Sequence, residues 1–232
     1  MRILLTGFEP FGGSSVNPSE EIVRALERRS EVLQKGGIDL HTRVVPVEAA
    51  RGPKAVIRAV DRIRPHAIVM LGESARASAI TLERVFINLA DYRIPDNAGV
   101  TLSNVSIAPR GTAAYFSTLP IDVLSEALRS ANIPVEVSLS AGAYLCNHLA
   151  YVVLHHLAQR RGGARVPAGF IHVPRLRGQT ERGSRESGRG MALESMVRAV
   201  ETMLIALAKD RAAKGDRRTR AGSASRARRS RR

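Results

Sequence analysis

The chain holds one cysteine, Cys146, in the stretch SAGAYLCNHLAYVVLHHL, where a strand-like run gives way to a helical one. A thiolate is a strong nucleophile, and the partial positive end of a helix dipole stabilises its charge. The small residues of SAGA just before it let the backbone turn tightly and approach a ligand. A lone cysteine on an apolar helix is equally a small core residue, so position alone leaves both roles open. A nucleophilic thiol needs a base, normally a histidine. His66 starts a strand, His41 lies within one, and His155 and His156 sit far down the helix that follows Cys146. His148 is two positions from Cys146 and points away from it on a helix. His172 ends the run AGFIHV, and it alone shares the crevice that opens at the carboxyl ends of parallel strands. A third group should orient its imidazole. Glu83 in ITLERVFIN is an acid inside an apolar run, costly to bury unless paired. His172 is one partner for it; Arg84 or another arginine is the alternative.

The elements that must position these residues alternate between strand and helix. RILLT (2–6) reads as a buried strand, followed by the Gly/Pro-rich loop GFEPFGG. NPSEEIVRALERR reads as a helix capped by Asn17, with Pro18 in its first turn. Residues 38–47 look extended. A helix follows, starting after Pro53 and ended by Pro65, and 66–72 is a buried strand. Residues 79–89 read as one strand and 90–100 as a loop with turn signals. Helices are expected over 121–131 and 144–160, strands over 135–139 and 168–173, a polar Gly-rich loop over 174–190 and an amphipathic helix over 191–208. The alternation predicts an α/β layered fold with a mainly parallel sheet.

Composition limits the function classes. The 232 residues suit one globular domain, and 44% hydrophobic content supplies a core. One cysteine excludes an intrachain disulfide and any C-x-x-C metal site. No H-E-x-x-H occurs and the histidines form no ligand grouping, so neither a metal nor another cofactor is expected. MRILLTGFEP lacks the apolar run of a signal peptide, and no run of about 18 apolar residues predicts a membrane span. A reducing, cytoplasmic setting fits. The net charge of +15 is concentrated at one end, because residues 209–232 carry 11 Lys/Arg and 2 Asp. That segment has no apolar residue larger than Ala and is expected to be disordered. It divides the chain into a domain over 1–208 and a basic tail over 209–232. The tail reads as a solvated extension or as a nonspecific binder of nucleic acid.

Five stretches, LLTGFEPFGGSSVNPS, ITLERVFIN, RIPDNAG, SAGAYLCNHLAY and FIHVP, together resemble pyroglutamyl-peptidase I, in order and over about residues 1–205. The resemblance implies an intracellular cysteine peptidase, a three-layer α/β/α sandwich with a mainly parallel sheet, tetrameric in many members, that removes N-terminal pyroglutamate from peptides. It places the nucleophile on Cys146, the base on His172 and the acid on Glu83, in agreement with the assignments from position. It also implies that Phe8 and Phe11 bracket the lactam ring, that Asn17 is a polar substrate-site residue, and that Arg93 lies close to the cysteine. Tyr144 and Leu145 stand where a Phe-Val pair is typical and are expected to reshape the ring pocket. Glu73 stands where a neutral residue is expected, and a carboxylate facing the thiolate would oppose its charge. Two rival functions remain. One is a noncatalytic homologue working through its nucleic-acid-binding tail, against which the complete Cys146, His172 and Glu83 set argues. The other is an amidohydrolase acting on RNA-linked substrates, which leaves the cysteine unexplained.

Overall fold

The computed structural model describes residues 1–160, 166–179 and 190–229, with the side chains of the last helix described as far as Gly215. The greater part of the Gly-rich loop expected over 174–190 therefore lies outside the described residues. The chain runs β1 (Arg2–Phe8), α1 (Pro18–Arg28), α2 (Ser30–Lys35), β2 (Asp39–Val45), α3 (Gly52–Ile63), β3 (Ala67–Glu73), β4 (Ile80–Glu83), β5 (Val85–Ile87), β6 (Ala114–Phe116), α4 (Ile121–Ser130), β7 (Val135–Ser138), α5 (Leu145–Gln159), β8 (Ala168–Val173) and α6 (Leu193–Arg229).

Six strands form one sheet in the order β2-β1-β3-β8-β4-β7. Four of its five pairings are parallel; only β4 and β8 pair antiparallel. Strands β1, β3 and β8 read as near-continuous apolar runs because helices cover both sheet faces. On one face Ile3, Leu5, Val69, Leu71, Ile171 and Val173 pack against α1, α4 and α6. On the other, Leu4, Met70 and Phe170 pack against α3 and α5. The three layers expected from the sequence are thus present. Gly7 lets α1 close onto β1, since a Cβ there would stand 2.3 Å from the Ser19 carbonyl oxygen.

Three details differ from the sequence reading. Residues 79–89 do not form one strand. The chain leaves the main sheet at Arg84, whose N–H bonds Ser138 and whose carbonyl accepts from Ser117. It then enters a separate ribbon in which β5 pairs antiparallel with β6. Neither β6 nor α2 carries a periodicity long enough to read, at three and six residues. Finally, α6 runs on through residues 209–229, where disorder is expected. Alanine, arginine and lysine are strong helix formers, and Lys214 adds an i,i+4 pair with Asp210 at 2.7 Å.

Candidate active site

Sheet register brings Glu83 and His172 together. Thr81 stands opposite His172 across the antiparallel pairing, and Glu83 lies two residues further along β4 on the same face. Such diagonal neighbours are within reach of long side chains. Glu83 Oε1 lies 2.8 Å from His172 Nδ1. Both groups are buried, with 3% and 8% of their surface exposed. The other carboxylate oxygen, Oε2, has no hydrogen-bond partner among the described residues. With Nδ1 engaged by Glu83, the second ring nitrogen is left for Cys146, whose side chain is near enough to act on the ring. Burial alone would lower the pKa of this imidazole. The Cys146 charge and hydrogen bond, followed by those of Glu83, outweigh it and push the pKa up to about 10. The imidazolium is therefore the resident form of His172 at neutral pH.

Cys146 is the second residue of α5 and is half-buried. The first N–H to bond back along the helix is that of His148, to Tyr144 O at 3.0 Å, and Tyr144 offers no side-chain cap. The preceding N–H groups have no partner inside the helix, so they gather partial positive charge around the sulfur. Gly72 of β3, opposite His172 in register, provides the room: a Cβ there would lie 2.6 Å from Phe170 Cζ and 3.0 Å from Cys146 Sγ.

The route by which Cys146 reaches this crevice corrects the sequence reading. Strand β7 runs antiparallel to β8, because β4 pairs parallel with β7 and antiparallel with β8. The carboxyl end of β7 is therefore not at the carboxyl end of β8. Residues 139–144 carry the chain to the start of α5. Asn147, fully buried, then fixes the helix by accepting from Ile87 N–H at 2.8 Å and donating to Ile87 O and Leu89 O, each at 3.0 Å. Sequence reasoning passed over Asn147. Its signal was an amide in the first turn of the helix, directly after the nucleophile candidate.

The remaining candidates divide between rim and core. Phe11 and Tyr144 meet at a ring distance of 6.2 Å, and Tyr144 stands edge-on to Tyr92 at 4.9 Å. Tyr144 also donates to Pro95 O at 3.1 Å. Arg93 is exposed, near enough to Tyr144 for its charge to act on that phenol. Phe8 belongs to the core, 3% exposed, with its ring 6.3 Å from that of Phe170, which in turn meets the His172 ring edge-on at 5.0 Å. Leu145 is likewise core, 1% exposed. Asn17 is buried and caps α1: it accepts from Ser19 N–H at 3.0 Å and Ser19 Oγ at 2.8 Å, and donates to Glu9 O at 2.9 Å. Hence Phe11, Tyr144 and Arg93 are solvent-accessible, whereas Phe8, Leu145 and Asn17 are buried.

Two carboxylates that the sequence reading did not single out brace the rim loops. Glu9 Oε1 accepts from Val47 N–H at 3.0 Å and Asn97 Nδ2 at 2.9 Å. Asp96 accepts from Ala49, Ala98 and Val100 N–H groups at 2.8, 2.9 and 2.9 Å. Tyr92 OH bonds His148 Nδ1 at 2.7 Å, and burial lowers the pKa of His148 to about 4. That histidine stays neutral and serves the aromatic wall.

Glu73 does not face the thiolate. Alternation along β3 puts Gly72 on the face that meets Cys146 and Glu73 on the opposite face with Leu71. There it pairs with Arg175 at 3.1 Å and accepts from Gln179 at 2.9 Å. Among the described residues no three His, Cys, Asp or Glu side chains group as metal ligands, and no described helix is long and apolar enough to cross a membrane.

The pyroglutamyl peptidase family model matches residues 1–210. A pyrrolidone-carboxylate peptidase of Vibrio vulnificus is 43% identical over 204 residues, covering 88% of this chain and 91% of that protein. One from Gloeobacter violaceus is 40% identical over 208 residues, covering 89% and 97%. Among solved structures, a mutant pyrrolidone carboxyl peptidase from the hyperthermophile Pyrococcus furiosus superposes with a TM-score of 0.83 at 34% identity, covering 90% of this chain and 99% of that one. Pyroglutamyl peptidase I from Bacillus amyloliquefaciens gives a TM-score of 0.82 at 33% identity, covering 90% and 97%.

Proposed function

The chain belongs to the pyroglutamyl peptidase family, and on that premise we propose that it removes N-terminal pyroglutamate from peptides by acyl transfer through Cys146. The observation that carries this reading is the buried chain Glu83–His172–Cys146 at the start of α5. The Cys146 thiolate attacks the pyroglutamyl carbonyl carbon, and the carbonyl oxygen takes the electron pair. The unpaired N–H groups of the first turn of α5, with the Arg93 guanidinium at the rim, stabilise that oxyanion. As the C–N bond breaks, His172 gives its proton to the leaving amine. A thioester remains on Cys146. His172, now neutral, takes a proton from water, whose oxygen attacks the thioester; free pyroglutamate leaves and the thiolate–imidazolium pair is restored. Glu83 holds the ring orientation and its charge throughout.

Phe11 and Tyr144 provide a flat aromatic edge for an uncharged lactam. A free glutamyl terminus would bring an ammonium and a carboxylate against these rings and bind poorly. The same reading extends to a homotetramer working in the cytoplasm. Phe116 and Leu139, 66% and 70% exposed on β6 and just beyond β7, are suited to a subunit contact. Light scattering on the purified chain tests the assembly.

The experiment for the activity is release of a fluorescent amine from its pyroglutamyl amide by the reduced protein. Wild type should turn over, Cys146→Ser should lose activity by several orders of magnitude, and the matching glutamyl amide should be inert. A wild-type protein that is folded, reduced and inactive would refute the proposal.

A further inference from the structure

Helix α6 continues to Arg229, whereas the family match stops at residue 210. Leu207 is its last buried side chain among those described, and every residue from Arg211 to Gly215 is exposed. Among the described residues, none of this extension after Leu207 is buried in the domain core. Its chemistry is one-sided: 9 of the 11 basic residues in 209–232 are arginine, and no acid follows Asp216. The extension leaves the domain at the end of the sheet away from the crevice. Arg211 lies near His66, which precedes β3 and accepts from Arg2 N–H at 3.0 Å at the amino end of β1. Cys146 and His172 lie at the other end of these strands, beside Gly72.

We infer that the carboxyl-terminal half of α6 is a rod that binds the phosphate backbone of duplex DNA while the catalytic crevice stays open. Arginine forks pair with phosphate oxygens in two-point fashion, which favours them over lysine in such contacts. A single α-helix fits the major groove of B-form DNA but not the deep, narrow one of A-form RNA. The segment 209–232 contains no aromatic residue on which single-stranded bases could stack. It contains no apolar residue larger than Ala, so it has no face to insert among lipid chains. Residues 209–229 as helix extend about 30 Å, enough to pass roughly nine base pairs. With about six phosphates neutralised, affinity should fall on the order of 10³-fold between 50 and 200 mM salt.

Fluorescence anisotropy of a labelled duplex DNA of about two helical turns tests this with the full chain. The comparison variant replaces Arg217, Arg218, Arg220, Arg226, Arg228 and Arg229 by Gln. Cooperative thermal unfolding serves as the fold control, so the outcome does not depend on peptidase activity. Wild type should bind at 50 mM salt with the steep salt dependence above, and the variant should bind at least about 30-fold more weakly. Hydrolysis of a pyroglutamyl amide should be the same with and without DNA. No binding at 50 mM salt, or equal binding by the variant, overturns the inference. So does tighter binding to single-stranded DNA, duplex RNA or phosphatidylserine vesicles than to duplex DNA.

Discussion

Gly72 stands opposite His172 in the β3–β8 register, and a Cβ on Gly72 would fall 3.0 Å from Cys146 Sγ and 2.6 Å from Phe170 Cζ. Nucleophile and base thus meet across a position that has space for hydrogen alone. Gly72→Ala should push the sulfur or the Phe170 ring aside. A displacement near 1 Å costs about 10²-fold in rate, so kcat/KM on a pyroglutamyl amide should drop by about that factor, with the protein still folded. Wild-type kinetics in Gly72→Ala would show that the close approach is not needed.

The His172 imidazole should titrate far above its usual range, and the order of causes predicts how it falls back. Its folded pKa is near 10 because the Cys146 charge and hydrogen bond, and then Glu83, outweigh burial. The alkaline limb of kcat/KM, where the imidazolium loses its proton, should therefore lie near pH 10. Glu83→Gln removes a raising contribution, so the limb should move to lower pH while kcat drops by about 10²-fold or more. Cys146→Ser removes the larger contribution, and NMR titration of the ring should show the greater fall there. The stability linked to this group follows the same sign. It is present below about pH 6.5, the ordinary histidine value, and is lost as pH rises towards 10. A neutral His172 at pH 8 in the wild type would contradict the pairing.

What could be read from the sequence was whatever depends on local pattern. The buried strands, the amphipathic helices and the layered α/β class follow from periodicity, and the unusual placements of Cys146, His172 and Glu83 mark them out before any packing is known. What could not be read depends on strand direction and side-chain facing. Nothing local says that β4 and β7 run against β8, and the site was inferred from a shared carboxyl-terminal end that the sheet does not provide. Phe8, which the resemblance puts at the lactam ring, packs at the end of β1 against Phe170, a contact that its place in a Gly/Pro-rich loop does not announce. Polar braces such as Glu9, Asp96 and Asn147 act on backbone groups far away in sequence, and residue types alone cannot identify those partners.

Glu73 should matter for stability and little for chemistry, because it points away from Cys146 and into a cluster with Arg175 and Gln179. Gln179 also donates to Val16 O at 3.3 Å, so the cluster joins β3, the segment after β8 and the loop before α1. Glu73→Gln removes the carboxylate charge from beside Arg175, at a cost of about 1–3 kcal/mol for a pair this enclosed. Urea unfolding should show that loss, while kcat/KM changes less than about fivefold. A rate gain of tenfold or more in Glu73→Gln would mean that its charge does reach the thiolate.

Asn147 should be needed to hold the nucleophile in place, although it cannot reach the substrate from its buried position. Its amide occupies three partly buried backbone groups of Ile87 and Leu89, which lose these partners when it is removed. Asn147→Ala leaves all three unsatisfied, at a cost of about 1–3 kcal/mol for each such group when fully buried and less where water enters. A loss of about 3 kcal/mol in urea unfolding is expected. Asn147→Asp retains the acceptor for Ile87 N–H but loses both donated bonds and sets a carboxylate against two carbonyl oxygens, so it should rescue nothing. Because α5 carries Cys146 one residue earlier, the folded fraction of either variant should lose kcat far more than it gains in KM. An Asn147→Ala protein with wild-type stability and wild-type kcat would show that β5 and α5 hold together without the amide.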